Sequence, residues 1–370
     1  MVQKGDLNEL CQSFLRISLE KQIVIMAKNP KIEFFIININ SYKKEKPTFR
    51  DLFTKLYSIK KSKNTRDNID NSILMNTFLQ YVFDKISGKY KVDNQKKKAF
   101  YIEKEKKKNL SKNIKFLSEK HIIHGLIKGG EYDTGKEEGD LKNPDKKSKL
   151  SNTSVLLDDF YFLLFTPLDK SKGILILQNY TSDQISDVFL PFIRDLFKID
   201  NLSLKAILKP FMPIEMQKEI KKNGIIEKFT FSNEYLIDDL DRDTHSSENF
   251  IIEVNILSKS KNINPLSLSF WKKKIKDFKI INSKGEARSL DTFNKQYGYI
   301  REGGSTLSTP TRFVLDDDSI KIKPTIFLQN YIKLEENYTP IWEELEDFAL
   351  KTLKEIVIPE VYPEDFIDED

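Results

Sequence analysis

The stretch from Val155 to Ile199, VLLDDFYFLLFTPLDKSKGILILQNYTSDQISDVFLPFIRDLFKI, constrains the fold more than any other part of the chain. Phe160 to Phe165 is a continuous apolar run, and Ile174 to Leu177 is a second, rich in β-branched residues. Strands that are apolar on both faces need cover on both faces. Between them, the connection from Thr166-Pro167 to Gly173 predicts a β-hairpin with a longer loop. Thr181 and Gln184 then have capping-box spacing. Ile185, Val188, Phe189, Phe192, Ile193 and Leu196 recur at helical spacing and predict one apolar stripe. Pro191 lies inside that stripe and should kink or split the helix. This strand–strand–helix unit is the expected central core, and it carries no catalytic signature.

A chain of 370 residues with 39% hydrophobic content can bury a core in two or three subdomains. Composition shifts divide it into an N-terminal α/β unit (1–88), a basic connector and loop (89–150), the central sheet–helix core (151–257) and a β-rich C-terminal unit with a terminal helix and acidic tail (258–370). The expected class is α+β, a mixed or antiparallel sheet with packed helices. Residues 6–20 predict a helix. Ile23–Met26 and Ile32–Asn38 predict strands, and helices are expected after Thr48 and over 69–87, the latter ended by Gly88. Beyond the core, Pro213 to Asn223-Gly224 predicts a short helix, flanked by strands at 202–208, 225–231 and 250–257. Thr339-Pro340 should open the last helix, with Ile341, Leu345, Phe348, Ala349, Leu353 and Ile356 on its apolar side.

The formal charge is only +5, but its distribution is uneven. Lys89 to Lys120 holds twelve lysines against Asp93, Glu103, Glu105 and Glu119, whereas Glu335 to Asp370 holds thirteen acids against Lys351 and Lys354. The asymmetry points to a basic interaction surface and an acidic end. Lys96, Lys97, Lys98 and Lys106, Lys107, Lys108 flank Ala99-Phe100-Tyr101-Ile102, so lysines could hold phosphates while Phe100 or Tyr101 stacks on bases. Lysine, asparagine and isoleucine are heavily used throughout, as in AT-rich coding, so lysine richness alone says little. A second candidate surface is Tyr297, Tyr299 and Arg301 beside Gly303-Gly304-Ser305-Thr306, which also suits stacking and phosphate contact. Residues 135–149 read as a polar, turn-rich loop.

Several chemistries find little support. The single cysteine, Cys11, excludes an internal disulfide and a cysteine-rich zinc site. The three histidines, His121, His124 and His245, come without a GxSxG elbow. His121 and His124 match no zinc spacing, Gly129-Gly130 lacks the rest of a P-loop, and Asp238 to Asp243 lacks EF-hand order. No segment reaches the ~18 apolar residues of a membrane span, and the N-terminus lacks a signal-peptide pattern, so a soluble cytoplasmic protein is expected. A metal-dependent nuclease is the alternative activity. Asp158 and Asp159 would be its acids, with a divalent metal such as magnesium; no other cofactor is expected. In the loose resemblance to a restriction-type nuclease core, Gln178-Asn179-Tyr180 replaces the acid-x-Lys of the second strand.

His121 to Asp133, followed by Phe160-Tyr161-Phe162-Leu163-Leu164 and Gly173-Ile174-Leu175-Ile176-Leu177-Gln178, resembles uncharacterised bacterial proteins associated with antiphage defence loci. The resemblance covers about 60 residues of apolar strand pattern and implies sensing or partner assembly. The leading expectation is a nucleic-acid-binding or sensing subunit of an antiviral defence assembly without catalysis of its own. Lys96, Lys97, Lys98, Phe100, Tyr101, Lys106, Lys107, Lys108 and Arg301 would make the contacts. A further alternative is a scaffold whose acidic C-terminus docks on a protein partner or a second copy; no membrane partner is expected.

Overall fold

The structure, a computed structural model, describes residues 28–41, 46–61, 69–86, 88–103, 113–140, 142–143, 145–199, 204–238, 247–257, 273–275, 277–281, 287–301, 311–315, 320–322 and 325–366. In chain order the elements begin with β1 (Pro30–Ser41), α1 (Phe49–Lys61), α2 (Asn71–Ile86), β2 (Lys91–Asp93), β3 (Lys98–Tyr101), β4 (Ile114–Leu117) and β5 (Ile122–Glu131). Next come β6 (Glu137–Gly139), β7 (Lys147–Lys149), β8 (Asp158–Phe165), β9 (Lys172–Tyr180), α3 (Ser186–Leu196), β10 (Leu204–Phe211) and α4 (Ile214–Asn223). The chain continues with β11 (Ile225–Asp238), β12 (Ser247–Leu257), β13 (Lys279–Ile281), β14 (Ala287–Ser289), β15 (Lys295–Arg301), β16 (Thr311–Leu315), β17 (Ile320–Ile322), β18 (Ile326–Phe327) and α5 (Trp342–Thr352). A π-helical turn (Leu353–Val357) and α6 (Ile358–Val361) follow. The fold is α+β, and every described strand pair is antiparallel. No described helix is long and apolar enough to cross a membrane.

The larger of two compact units comprises Ala27–Phe211 and Ile326–Thr352. Its sheet has the order β10-β1-β9-β8-β5-β3-β2, with β18 also on β1 and β4 also on β5. The hairpin β8–β9 lies in the middle, and its residues are buried in near-continuous runs, as strands apolar on both faces require. One sheet face packs against helices through Phe49, Phe53, Phe78, Phe189 and Phe197; the Phe53 and Phe78 rings stack at 4.2 Å. On the other face Trp342 of α5 meets Tyr161 edge-on, and Glu346 pairs with Lys115 of β4. This sheet takes strands from all four segments suggested by composition. Those segment boundaries therefore do not coincide with the compact units, because antiparallel pairing joined strands distant in sequence.

Helix α3 starts by a different device from the expected capping box. Thr181 Oγ1 donates instead to the Asn29 carbonyl, and the first-turn N–H of Ser186 is met by Asn179 Oδ1 at 3.1 Å. Asn179 Nδ2 donates to Glu33 Oε2 at 2.9 Å, and Glu33 Oε1 accepts from Lys31 Nζ at 3.3 Å. A buried polar chain thus links β1, β9 and the helix start. Pro191 leaves α3 unbroken. It has no N–H for the Asp187 carbonyl, and Lys96 Nζ donates to that oxygen at 2.9 Å. The polar loop expected over 135–149 contains the exposed ladder β6–β7. The last helix begins at Trp342, because Pro340 is held in a bridge to Leu334.

The second unit's described residues fall within Met212–Thr325 and Leu353–Asp370. Its main sheet has the order β12-β11-β15-β16-β17, beside the small ladder β13–β14. Strand alternation gives it one apolar face, formed by Ile226, Phe229, Phe231, Ile300 and Phe313, all buried. Gly298 belongs to that inner face. A Cβ there would lie 2.3 Å from Cζ of Phe313, its register partner, so the ring sits where a side chain would be. Helix 6–20, Cys11, Ile23–Met26, Lys106–Lys108, His245, Phe270-Trp271, Gly303–Thr306 and the final four residues lie outside the described residues.

Candidate nucleic-acid interface

The first expected surface proves to be engaged within the molecule. Lys96 holds the Asp187 carbonyl. Lys97, in a left-handed turn conformation, pairs with Asp133 at 2.9 Å and lies over the Tyr132 ring. Lys98 is buried; it donates to the Gln184 carbonyl at 2.8 Å and reaches Asp187 at 3.3 Å. Phe100 is 1% exposed, edge-on to Phe189 and Phe192, so it cannot stack on a base. That corrects its assignment: alternation along β3 turns Phe100 inward and leaves half-buried Tyr101 to pair with exposed Tyr90.

The two acids of the nuclease alternative do not converge. Neighbours on β8, they point to opposite faces of the sheet. Asp158 accepts from Lys28 at 2.7 Å, and Asp159 from its register partner's Lys128 side chain at 2.9 Å. Among the described residues no group of three or more His, Cys, Asp or Glu side chains could hold a metal ion. His124 is wholly buried beside the Tyr161 hydroxyl, and burial keeps it below the ordinary histidine range.

One carboxyl in this unit is displaced strongly. Asp183 is pushed up to about 6 by burial, only partly offset by Lys98. Because its folded pKa lies above the unfolded value, its protonated form favours folding below about pH 4, and that contribution is lost as pH rises through 6. Asp183→Asn is therefore expected to stabilise the protein by about 2 kcal/mol at pH 7.5 and hardly at all at pH 4. Denaturation at both pH values checks this; equal effects would contradict it.

The outer face of the β12-β11-β15-β16-β17 sheet is built differently. Cross-strand register aligns Leu257, Lys228, Tyr299 and Arg312 in one row and Asn255, Thr230, Tyr297 and Val314 in the next. The Tyr297 and Tyr299 rings meet edge-on at 5.9 Å. The Arg312 guanidinium lies 3.8 Å from the Tyr297 ring centre, and Lys228 Nζ lies 4.5 Å from that of Tyr299. Tyr297 is the register partner of Thr230, which is fully buried, and the Tyr297 hydroxyl donates to Glu253 at 3.3 Å. Burial and the nearby Glu253 carboxylate both push the Tyr297 phenol up, so it stays a neutral donor at physiological pH. Arg301 closes β15 two residues after Tyr299.

Comparison of the chain with protein-family models and with curated proteins gave no match.

Tyr297 and Tyr299 were visible in the sequence as an alternating aromatic pair. Lys228, Arg312, Glu253 and Asn255 were missed, since they join the face only through pairing with β11, β12 and β16. A faint signal existed in the alternation of Lys228, Thr230 and Ser232 with Phe229 and Phe231, which marks a strand with one apolar and one polar face. Nothing local in that pattern tells which strand lies beside it. The acidic end is also partly engaged: Glu344 accepts from the Lys333 N–H, Glu346 pairs with Lys115, and Glu360 accepts from the Ile214 N–H.

Proposed function

We propose that the chain binds single-stranded nucleic acid on the outer face of the five-stranded sheet, without contributing catalysis to the encounter. What supports the reading is one observation: two adjacent, half-buried tyrosines on the outer face of the sheet, each with a cation over its ring. Aromatic platforms accept any base, because every base has a π-face, and each stacked base contributes about 1–3 kcal/mol. The Arg312 guanidinium offers a second planar surface and, like Lys228, a charge for phosphate. Lys295, exposed on the same strand as the tyrosines, extends the basic surface. In a defence assembly, such a face would supply recognition of foreign or exposed single strands, and partner subunits would supply the response.

The test is fluorescence anisotropy with a labelled 15-nucleotide single strand and the matching duplex. The single strand is expected to bind at least tenfold more tightly, since paired bases cannot lie on the rings. Neutralisation of about three phosphates by Lys228, Lys295 and Arg312 predicts a log–log salt slope of roughly −2. Equal affinity for duplex, or affinity independent of salt, would reject the reading. A protein partner captured on this face in place of the oligonucleotide would favour a docking role.

A further inference from the structure

Resting on the stacking face just described, we infer that Glu253 is its base-reading residue and that it selects guanine. Glu253 is the acid in direct contact with the aromatic platform: its Oε2 accepts from the Tyr297 hydroxyl at 3.3 Å. Its Oε1 accepts from Asn255 Nδ2 at 2.9 Å, and Asn255 Oδ1 in turn accepts from the buried Thr230 hydroxyl at 2.7 Å. The carboxylate is therefore held at both oxygens by groups anchored in the sheet. Each carboxylate oxygen still has lone-pair capacity for another donor.

Two parallel acceptors of this kind match two parallel donors. On its Watson–Crick edge guanine presents N1–H and N2–H side by side. Adenine and cytosine present one amino donor beside a ring acceptor, and thymine or uracil presents one N–H between two carbonyls that a carboxylate would repel. A bidentate pair with a carboxylate is thus available to guanine alone. The geometry of the platform suits it. Arg312 covers the Tyr297 ring, the Tyr297 hydroxyl points at Glu253, and a base lying on this stack would turn an edge toward the carboxylate. That edge is free only in an unpaired base, so the selectivity and the single-strand requirement have the same origin. The cations Lys228 and Arg312 offset the repulsion between Glu253 and nearby phosphates.

The experiment uses the full chain and four labelled 15-nucleotide thymidine tracts whose central position is dG, dA, dC or dT. The dG strand is expected to bind about tenfold more tightly than the dT strand, in line with the discrimination of a good bidentate pair. Glu253→Gln should bring that ratio close to one, because an amide offers one acceptor and one donor. Glu234→Gln removes another exposed carboxylate from the same strand system and should leave the ratio near ten. Four strands bound equally by the native chain would overturn the guanine assignment while leaving the stacking face intact. A tenfold preference that survives Glu253→Gln would also overturn it. Binding of none of the four would instead overturn the stacking face itself.

Discussion

Replacing Glu33 with alanine is expected to destabilise the larger unit by about 3–5 kcal/mol, the usual consequence of removing one partner from a buried ion pair. Lys31 and Glu33 are each about 6% exposed at the side chain. The Glu33 carboxylate also accepts from Asn179, whose other amide atom holds the first N–H of α3. Its loss leaves a buried ammonium with less compensation and frees the Asn179 amide to leave the helix start. Hydrogen exchange of the β1 and β9 amides measures the effect locally, without requiring the whole chain to unfold in one step. A loss below about 1 kcal/mol would contradict the account. The double replacement Lys31→Met with Glu33→Leu should recover much of the stability, since apolar pairs of similar volume can replace a buried ion pair at little cost.

Gly130→Ala is expected to be at least as damaging, on the order of 3 kcal/mol or more. Gly130 has φ +156°, and a Cβ there would lie 1.8 Å from the Leu156 carbonyl oxygen. That oxygen belongs to backbone tied to the end of β5, where the Leu156 N–H donates to the Glu131 carbonyl at 2.8 Å, so it cannot swing aside. Alanine would have to separate the two segments or shift the register of β5 against β8. Thermal unfolding with a midpoint unchanged within 2 °C would contradict this reading (~1 kcal/mol corresponds to a few degrees). By contrast Gly135→Ala, also at positive φ but with nothing within 4 Å of its Cβ, should show only the backbone strain.

These two sites mark the limit of what the sequence discloses. The apolar runs of β8 and β9 and the stripe of α3 were legible because burial on both faces, or on one helical side, leaves a local imprint. The helix ended by Gly88, which has φ +69°, was legible for the same reason. The polar residues were harder to read. Gln178 stands where a nuclease core would carry a metal-binding acid, and its side-chain oxygen instead accepts the Tyr161 N–H at 3.1 Å, where the β8–β9 ladder ends; Asn179 beside it caps α3. Lys96 and Lys98 looked like phosphate contacts and instead serve carbonyls around a proline-containing helix. The roles of Gln178, Lys96 and Lys98 each depend on a partner more than 15 residues away, and Asn179 ties the helix start to Glu33 of the distant strand β1. Local spacing cannot encode such partners. The tyrosines of β15 fell between the two cases: their alternation was visible, but the cations that complete the face arrive by strand pairing.

The most direct test of the stacking face is the affinity of the Tyr297→Leu/Tyr299→Leu double variant for a labelled single strand at fixed salt. Leucine keeps a bulky apolar side chain on the sheet while removing both π-faces and the Tyr297 hydroxyl. With one or two stacked bases lost at about 1–3 kcal/mol each, affinity should fall at least about fivefold. Lys97→Ala, in the larger unit, should change it less than twofold. An unchanged affinity in the tyrosine variant, with a tenfold loss in Lys97→Ala, would move binding back to the basic connector and contradict the account.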